Sequence, residues 1–207
     1  FGTGYGAGGS FFCSIEGEFF AYNDELQTVV LNVGVNGIEE YAFLGCENIE
    51  TLILPEKYFI YFRKGAFADC VSLGNVYFPS GLQIIDPGAF MSCESFTEVE
   101  LPDTLHGLSS GAFANCISLE KVSLKSNPSF KRIYNSAFAG CDMLREINIP
   151  EGIEVIGDNA FAVCFSLQDI TLPDTLVEID ECAFYYCMSL ESITIPASVN
   201  TIGAYAL

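Results

Sequence analysis

Residues 144–164 read LREINIPEGIEVIGDNAFAVC, and residues 167–187 repeat the same pattern as LQDITLPDTLVEIDECAFYYC. A third copy, LESITIPASVNTIGAYAL, occupies residues 190–207. The unit that these copies share is L-x-x-I-x-I-P-x-x-V-x-x-I-x-x-x-A-F-x-x-C-x-x. A pattern of this fidelity does not recur by chance, and the sequence therefore predicts a repeat protein whose units bury their apolar sides against one another.

The phenylalanine of the A-F-x-x-C motif defines the period of the array. It occupies Phe43, Phe67, Phe90, Phe113, Phe138, Phe161 and Phe184, with Leu207 in the next place. The spacings are 24, 23, 23, 25, 23, 23 and 23 residues. Residues 15–26 fit the second half of the unit, with Phe20 in the phenylalanine place. We therefore expect a solenoid over residues 15–207, with an N-terminal half-repeat, seven full repeats and a truncated eighth, after a glycine-rich leader or linker at 1–14.

The two halves of the unit differ in apolar spacing. The L-x-x-I-x-I half has the close spacing and the β-branched residues of a short strand, which the following proline ends. The A-F-x-x-C half places apolar residues three and four apart, which favours one helical or 3₁₀ turn. One strand and one turn cannot bury their own apolar side. The pattern therefore predicts an α/β repeat solenoid whose strands form one parallel sheet.

The unit also resembles the BspA-like (Treponema-type) leucine-rich repeat, at six or more positions in most copies. The second repeat inserts one residue, and the fifth inserts two and has Lys125 in the proline place. The resemblance implies a curved array with a parallel β-sheet on its concave face and short helical or 3₁₀ turns on its convex side. It also implies a bacterial or protist surface protein that binds other macromolecules, without catalytic residues.

The charge of the chain limits its partners. The formal net charge is −19, from 27 acidic and 8 basic residues, and all the basic residues lie between positions 57 and 145. A field of this sign repels phosphate backbones and anionic membranes, so we expect no nucleic-acid partner. No apolar run approaches eighteen residues, so we expect no membrane insertion in this segment. The chain begins without a methionine and is expected to be a fragment or a processed product.

Seven cysteines each stand three residues after a motif phenylalanine: Cys46, Cys70, Cys93, Cys116, Cys141, Cys164 and Cys187. We predict that they form a ladder of buried free thiols, since cysteine packs as a small hydrophobe. Disulfides between repeats are disfavoured because parallel Cβ atoms stand too far apart, and zinc is disfavoured because a line of thiols offers no tetrahedral cluster. Cys13 and Cys182 lie off the ladder, and Cys182 is either an incidental thiol or an exposed reactive one.

The sequence offers no recognisable active site. Its one histidine, His106, lies in a loop after Pro102, and no nucleophile accompanies it. The leader FGTGYGAGGS lacks the GK[ST] ending of a phosphate loop, and the acidic residues recur at predicted turns. We therefore predict a non-catalytic protein without metal or cofactor.

Two groups of residues are candidates for partner binding. Strand residues between the core positions point outward, and the first three in one column are apolar: Val30, Ile53 and Tyr77. The second group lies in KYFIYFRK at 57–64, where the inserted repeat has more apolar residues than its core needs: Tyr58, Ile60, Tyr61, Arg63 and Lys64. The alternatives are plain strand-former preference for the first group and local packing for the second.

These features favour a protein-binding leucine-rich-repeat module, the exposed ligand-binding or adhesion region of a surface or secreted protein. The alternative is an intracellular structural or scaffold component of a larger assembly. The expected ligand is a protein, or else a glycan, with neighbouring subunits or domains as further contacts at the ends of the array.

Overall fold

The computed structural model describes residues 2–4, 12–15 and 17–207, which stack into a parallel β-solenoid. Each coil of the solenoid corresponds to one sequence repeat. In chain order, the strands are β1 (Gly2–Gly4), β2 (Phe12–Ile15), β3 (Thr28–Val30), β4 (Val35–Ile38), β5 (Thr51–Ile53), β6 (Tyr61–Phe62), β7 (Ile84–Ile85), β8 (Glu98–Glu100), β9 (Gly107–Leu108), β10 (Lys121–Ser123), β11 (Arg132–Ile133), β12 (Glu146–Asn148), β13 (Val155–Ile156), β14 (Asp169–Thr171), β15 (Glu178–Ile179) and β16 (Thr201–Ile202).

The first half of the repeat forms one face of the solenoid, which we call the first face. It contains the pair β3–β5 and the four-stranded parallel sheet β8-β10-β12-β14. In β8, the outer residues Glu98 and Glu100 are exposed and Val99 between them is buried, because alternate side chains of a strand point to opposite sides. The prediction of parallel strands from L-x-x-I-x-I is confirmed.

The second half of the repeat forms a second strand, which the sequence analysis missed. These strands build the second face, a ten-stranded sheet in the order β1-β2-β4-β6-β7-β9-β11-β13-β15-β16. β1 and β2 are antiparallel, and the other neighbours are parallel. The prediction of a single sheet was therefore wrong. Most of these strands have only two residues, as in Ile84–Ile85, which is too short to show an alternating pattern.

The predicted helical or 3₁₀ turns are also wrong, because residues 17–207 contain turns but no helix. In GAFANC at 111–116, alternate N–H groups take different partners. Those of Ala112, Ala114 and Cys116 donate to the carbonyl three residues back, while those of Gly111, Phe113 and Asn115 donate to the next coil. Gly111 and Asn115 have φ of 64° and 58°, in the left-handed region. A helix needs consecutive right-handed residues, and this alternation prevents one.

The core is a continuous stack of the repeated apolar residues. Phe20 and the seven motif phenylalanines form a ladder with neighbouring ring centroids 4.8–5.9 Å apart and ring planes within 2–9° of parallel. Phe62, Phe78 and Phe96 pack edge-on against this ladder. The repeat pattern therefore does predict which side chains fill the interior.

Part of the proposed leader joins this array. β1 lies within residues 1–14, and β2 runs from Phe12 to Ile15, the first residue of the predicted solenoid. β2 pairs with β4 of the next coil. Residues 5–11 lie outside the described part of the chain, so the division of the chain near residue 14 stays a prediction. Among the described residues, no helix could cross a membrane.

Candidate partner-binding surface

Val30, Ile53 and Tyr77 occupy the same position of the repeat on three successive coils. Their exposed fractions are 54%, 51% and 81%. Val30 pairs in register with Ile53, and their neighbours Val29 and Leu52 point into the core. The predicted outward orientation of these three side chains is confirmed. We call this group the first-face patch.

Tyr77 lies at a break in the first face. Residues 74–78 form no strand. At this break, the side chain of Asn75 takes the place of a backbone carbonyl as hydrogen-bond acceptor. Its Oδ1 accepts hydrogen bonds from the N–H groups of Thr97 and Glu98 at 3.0 and 3.1 Å. In the coils that follow, the equivalent N–H groups of Glu120 and Lys121 donate to a backbone carbonyl instead. The break separates the pair β3–β5 from the four-stranded sheet and leaves Tyr77 at the junction.

Beyond Tyr77 the first face becomes charged and polar. A shallow cavity of about 290 Å³ is lined by Tyr77, Phe78, Glu100 and Lys125, among others. Lys125 Nζ lies 2.8 Å from Glu100 Oε1, and this hydrogen bond lowers the pKa of the Glu100 carboxyl. A second cavity of about 450 Å³ lies over the four-stranded sheet, lined by charged residues such as Glu98, Glu146 and Asp169. The apolar patch thus adjoins a mainly acidic groove.

The 57–64 stretch divides between the core and the surface. Phe59 and Phe62 are fully buried and pack against each other, which places Phe59 rather than Tyr58 in the valine position of the repeat. Tyr58 is exposed and has a φ of 68°, while Ile60 is half-buried. The insertion therefore exposes one aromatic ring of this stretch outright.

Tyr61 and Arg63 take part in contacts between coils. The Tyr61 hydroxyl donates to Glu39 Oε1 at 2.8 Å, and the Arg63 guanidinium carbon lies 4.4 Å from the centroid of the Tyr61 ring. Arg63 also donates to Asp86 Oδ2 at 3.1 Å, a hydrogen bond that raises the pKa of the guanidinium. Lys64 lies over the ring of Tyr41, with 5.6 Å between its Nζ and the ring centroid. These contacts give Tyr61, Arg63 and Lys64 partners within the solenoid, as the alternative of local packing expected.

The two predicted groups do not form one continuous sheet surface. Ile53 belongs to β5 on the first face, whereas Tyr61 belongs to β6 on the second face. Tyr58 lies in the loop between them. Each group is therefore a separate candidate for partner binding, and that role stays a prediction for both.

The cysteine ladder is confirmed as core packing. Six of its members are buried, Cys187 is half-buried, and all seven are free thiols. Each thiol donates a hydrogen bond to the carbonyl of the phenylalanine one coil earlier, with Sγ–O distances of 2.9–3.3 Å. Burial raises the pKa of the Cys116 thiol to about 12 and that of Cys187 to about 11. These thiols are held in the unreactive, protonated form.

The residues off the ladder form no recognisable chemical site. Cys182 is half-buried, His106 is exposed, and the side chain of Cys13 lies outside the described residues. Within the described ranges, no group of three or more histidine, cysteine and acidic side chains is placed to hold a metal ion.

Sequence reasoning missed a group of exposed apolar residues on the turns of the C-terminal coils: Met143, Phe165, Tyr185, Tyr186 and Met188. The repeat pattern gives no signal for them, because the residue after the ladder cysteine is charged in some coils and apolar in others. Glu47, Glu94 and Asp142 occupy that place in three coils, and Val71, Ile117, Phe165 and Met188 occupy it in the other four.

Comparison with known proteins agrees with this architecture. The family described as "BspA type Leucine rich repeat region" matches residues 13–142 and 121–207, with 6 copies of its repeat. No curated protein matches the chain.

Solved bacterial structures share the fold. A leucine-rich repeat protein from Bacteroides ovatus is 28% identical with a TM-score of 0.80, over 92% of this chain and 48% of that one. The Treponema pallidum leucine-rich repeat protein is 32% identical with a TM-score of 0.70, over 78% and 74% of the two chains. A leucine-rich cell surface protein from Faecalibacterium prausnitzii is 26% identical with a TM-score of 0.54, over 90% and 62%. The chain thus spans about half the length of the Bacteroides protein.

Proposed function

Because this chain belongs to the BspA-type leucine-rich-repeat family, we propose that it is a non-catalytic protein-binding module whose contact surface is the first-face patch. The observation that carries this proposal is the exposure of Val30, Ile53 and Tyr77 at one position of the repeat on three successive coils. Adjacent exposed apolar side chains of this kind often mark a surface that a partner covers.

The chemistry of the first-face patch suits a protein ligand. Two aliphatic side chains provide a flat apolar surface, and Tyr77 adds a large ring with a polar tip, a residue type enriched at energetic centres of interfaces. Covering each side chain would contribute on the order of 1 kcal/mol, since apolar burial is favourable by about 25 cal/mol per Å². The acidic groove beside Tyr77 would orient such a ligand. A glycan is the alternative ligand.

Site-specific photo-cross-linking tests this surface. A benzophenone side chain at Tyr77, in the protein produced by its own organism, should capture a discrete partner, whereas the same group at Tyr134 on the second face should not. Purified wild-type protein should compete for the cross-link, and the variant Val30→Ser with Ile53→Ser and Tyr77→Ser should fail to compete. Equal competition by the two proteins would refute the role of the patch. Protease sensitivity of the captured material separates a protein ligand from a glycan.

The stretch 57–64 is a second proposed contact, centred on the exposed ring of Tyr58 and flanked by Ile60, Tyr61, Arg63 and Lys64. The double variant Tyr61→Ser with Arg63→Glu is expected to weaken partner binding, and Tyr58→Ser alone should do so without touching the internal contacts of Tyr61. If both variants fold and keep the wild-type affinity for the partner identified above, this second contact does not exist.

We also propose that the module is displayed on a cell surface or secreted. The support is the family and its likeness to the cell surface protein of Faecalibacterium prausnitzii. Protease treatment of intact cells should then remove the module while a cytoplasmic marker survives. Protection of the module until the cells are lysed would instead favour the alternative, an intracellular scaffold component.

A further inference from the structure

The sequence contains one Asn–Gly dipeptide, Asn36–Gly37, and it lies in β4. Such a dipeptide is prone to a reaction of its own, because glycine has no side chain to hinder its backbone nitrogen. This nitrogen can attack Cγ of the asparagine side chain and release ammonia. The attack needs the two atoms to be about 3–3.5 Å apart and correctly oriented. The structure around Asn36 and Gly37 therefore decides whether the dipeptide reacts.

On the side of β4 that faces β2, the pairing is irregular at this dipeptide. Cys13 is opposite Val35 and Ser14 is opposite Gly37, so Asn36 has no partner residue in β2. Asn36 is thus the extra residue of a β-bulge, which takes it out of the regular ladder. Its side chain is half-buried. The pairing with β2 therefore does not hold Asn36 in place.

On the side that faces β6, the dipeptide is closed. The carbonyl of Asn36 accepts a hydrogen bond from the N–H of Ile60 at 2.7 Å, and Gly37 pairs with Tyr61. The ring of Tyr61 lies directly over Gly37, since a Cβ atom there would come within 2.2–2.4 Å of three ring atoms. The peptide group between Asn36 and Gly37 cannot rotate toward the asparagine side chain unless this hydrogen bond breaks and the ring moves.

The ring of Tyr61 is itself anchored by its neighbours. Its hydroxyl donates to Glu39 Oε1 at 2.8 Å, and the guanidinium carbon of Arg63 lies 4.4 Å from the ring centroid. Arg63 in turn donates to Asp86 Oδ2 at 3.1 Å. Glu39 belongs to the preceding coil and Asp86 to the next one, so the ring is held from both neighbouring coils.

We infer that Asn36–Gly37 is a deamidation site that the ring of Tyr61 keeps closed while β4 and β6 are paired. When the two strands part, the Gly37 nitrogen loses its proton and forms a bond to Asn36 Cγ. The bond from Cγ to the side-chain nitrogen then breaks, and ammonia leaves. Water opens the resulting cyclic imide, either at the side-chain carbonyl to give aspartate or at the backbone carbonyl to give isoaspartate. Water is the one co-reactant.

The reaction makes an opening of this part of the solenoid permanent. Both products add a negative charge to β4, and isoaspartate also adds a methylene group to its main chain. Ile38, which follows directly, is fully buried and cannot return to the same packing after such an insertion. The dipeptide therefore records each separation of β4 from β6. Neither proposed partner contact is needed for this chemistry, so the inference and the proposed function can fail separately.

Peptide mapping by mass spectrometry, after incubation of the protein in mildly alkaline buffer, measures deamidation at Asn36. We expect the folded wild type to react at least about tenfold more slowly than the same chain unfolded in urea, because the reaction requires local opening. Tyr61→Ala should react at least about tenfold faster than the folded wild type, since the ring is gone. Tyr61→Phe keeps the ring and should stay close to the wild-type rate. If circular dichroism shows that Tyr61→Ala does not fold, Tyr61→Leu takes its place.

Two controls separate the ring from a general loosening of the fold. Tyr134→Ala removes a ring that lies near Gly107 on the same face and should leave the rate at Asn36 unchanged. Within each digest, Asn135 also precedes a small residue, and its Nδ2 is held by Asp158 Oδ2 at 2.8 Å. Its rate should not respond to Tyr61→Ala.

Each of three results would overturn the inference. The folded wild type reacts at Asn36 as fast as the unfolded chain, so that the site is not closed. The folded Tyr61 variant reacts at the wild-type rate, so that the ring is not what closes it. Asn36 and Asn135 accelerate equally in that variant, so that the whole fold has loosened.

Discussion

The thiol of Cys116 donates a hydrogen bond to the backbone carbonyl of Phe90, one coil earlier, with a distance of 3.3 Å between Sγ and the oxygen. Both side chains are fully buried. Each of the other six ladder cysteines donates the same bond to the carbonyl of the phenylalanine one coil earlier. The cysteine therefore does more than fill space, because it also provides a donor to a carbonyl inside the core.

Replacement of Cys116 should reduce stability and leave partner binding unchanged. In Cys116→Ser, the shorter hydroxyl cannot reach the Phe90 carbonyl at a good O–H···O distance and is buried in an apolar site. We expect the free energy of unfolding, measured in urea, to fall by about 1–3 kcal/mol. The control is Cys182→Ser, a half-buried cysteine off the ladder, for which a change within about 0.5 kcal/mol is expected. Equal stabilities of Cys116→Ser and wild type would contradict the role of the bond.

The thiol ladder should also make the fold sensitive to alkali. Burial raises the pKa of the Cys116 thiol from its ordinary value of 9.0 to about 12. The unfolded chain loses this proton first, so stability present below pH 9 is lost as the pH rises from about 9 to about 12. In this window, the titration of one thiol lowers the free energy of unfolding by up to about 1.4 kcal/mol per pH unit.

Urea unfolding at a series of alkaline pH values measures this effect. Cys116→Ala should reduce the slope of stability against pH by up to one thiol's contribution. Leu119→Ala destabilises the same core without removing a thiol and should keep the wild-type slope. A slope that is the same in Cys116→Ala and wild type would show that this thiol does not titrate on unfolding.

The sequence predicted the interior of the solenoid well, because identical residues at a fixed period must pack on one another. It also predicted that Val30, Ile53 and Tyr77 point outward, since alternation along a strand is a local property. The turns were misread because three- and four-residue apolar spacing fits both a helical turn and a chain of turns with left-handed residues. Local spacing cannot show that alternate N–H groups donate to the next coil.

The contacts of the candidate sites could not be read in the same way. Tyr61 and Glu39 are 22 residues apart and meet only because equivalent positions stack between coils. The second-face strands that bring them together were not predicted. Without knowledge of these strands, the sequence left both a partner and local packing open for Tyr61 and Arg63. In the structure, Tyr61 donates to Glu39 of the preceding coil and Arg63 donates to Asp86 of the next.

Gly37 is required where the Tyr61 ring crosses the preceding coil. A Cβ atom at Gly37 would lie 2.2 Å from Cε2 of Tyr61, so Gly37→Ala must displace the ring and its hydrogen bond to Glu39. We expect a loss of about 1–2 kcal/mol in the free energy of unfolding. The same substitution in a Tyr61→Ala background should be nearly neutral, so the double-mutant cycle should give a clear coupling energy.

Gly107 provides the matched control for this cycle. It holds the same strand position as Gly37, three coils later in the sheet. A Cβ atom at Gly107 would lie 3.9 Å from Cε2 of Tyr134, which is an ordinary contact. Gly107→Ala should therefore change stability by less than about 0.5 kcal/mol. A coupling energy near zero between Gly37→Ala and Tyr61→Ala would show that the ring is not what makes glycine necessary.

Val163 is a strained residue whose replacement should stabilise the fold. Its φ is 64°, in the left-handed region that a β-branched side chain disfavours, and the equivalent residue of an earlier coil is Asn115, with a φ of 58°. Asparagine tolerates this conformation, so Val163→Asn should raise the free energy of unfolding by about 1 kcal/mol. The reciprocal substitution, Asn115→Val, should lower it by a similar amount. Both are measured by urea denaturation, and a loss of stability in Val163→Asn would mean that the apolar contacts of this half-buried valine outweigh its backbone strain.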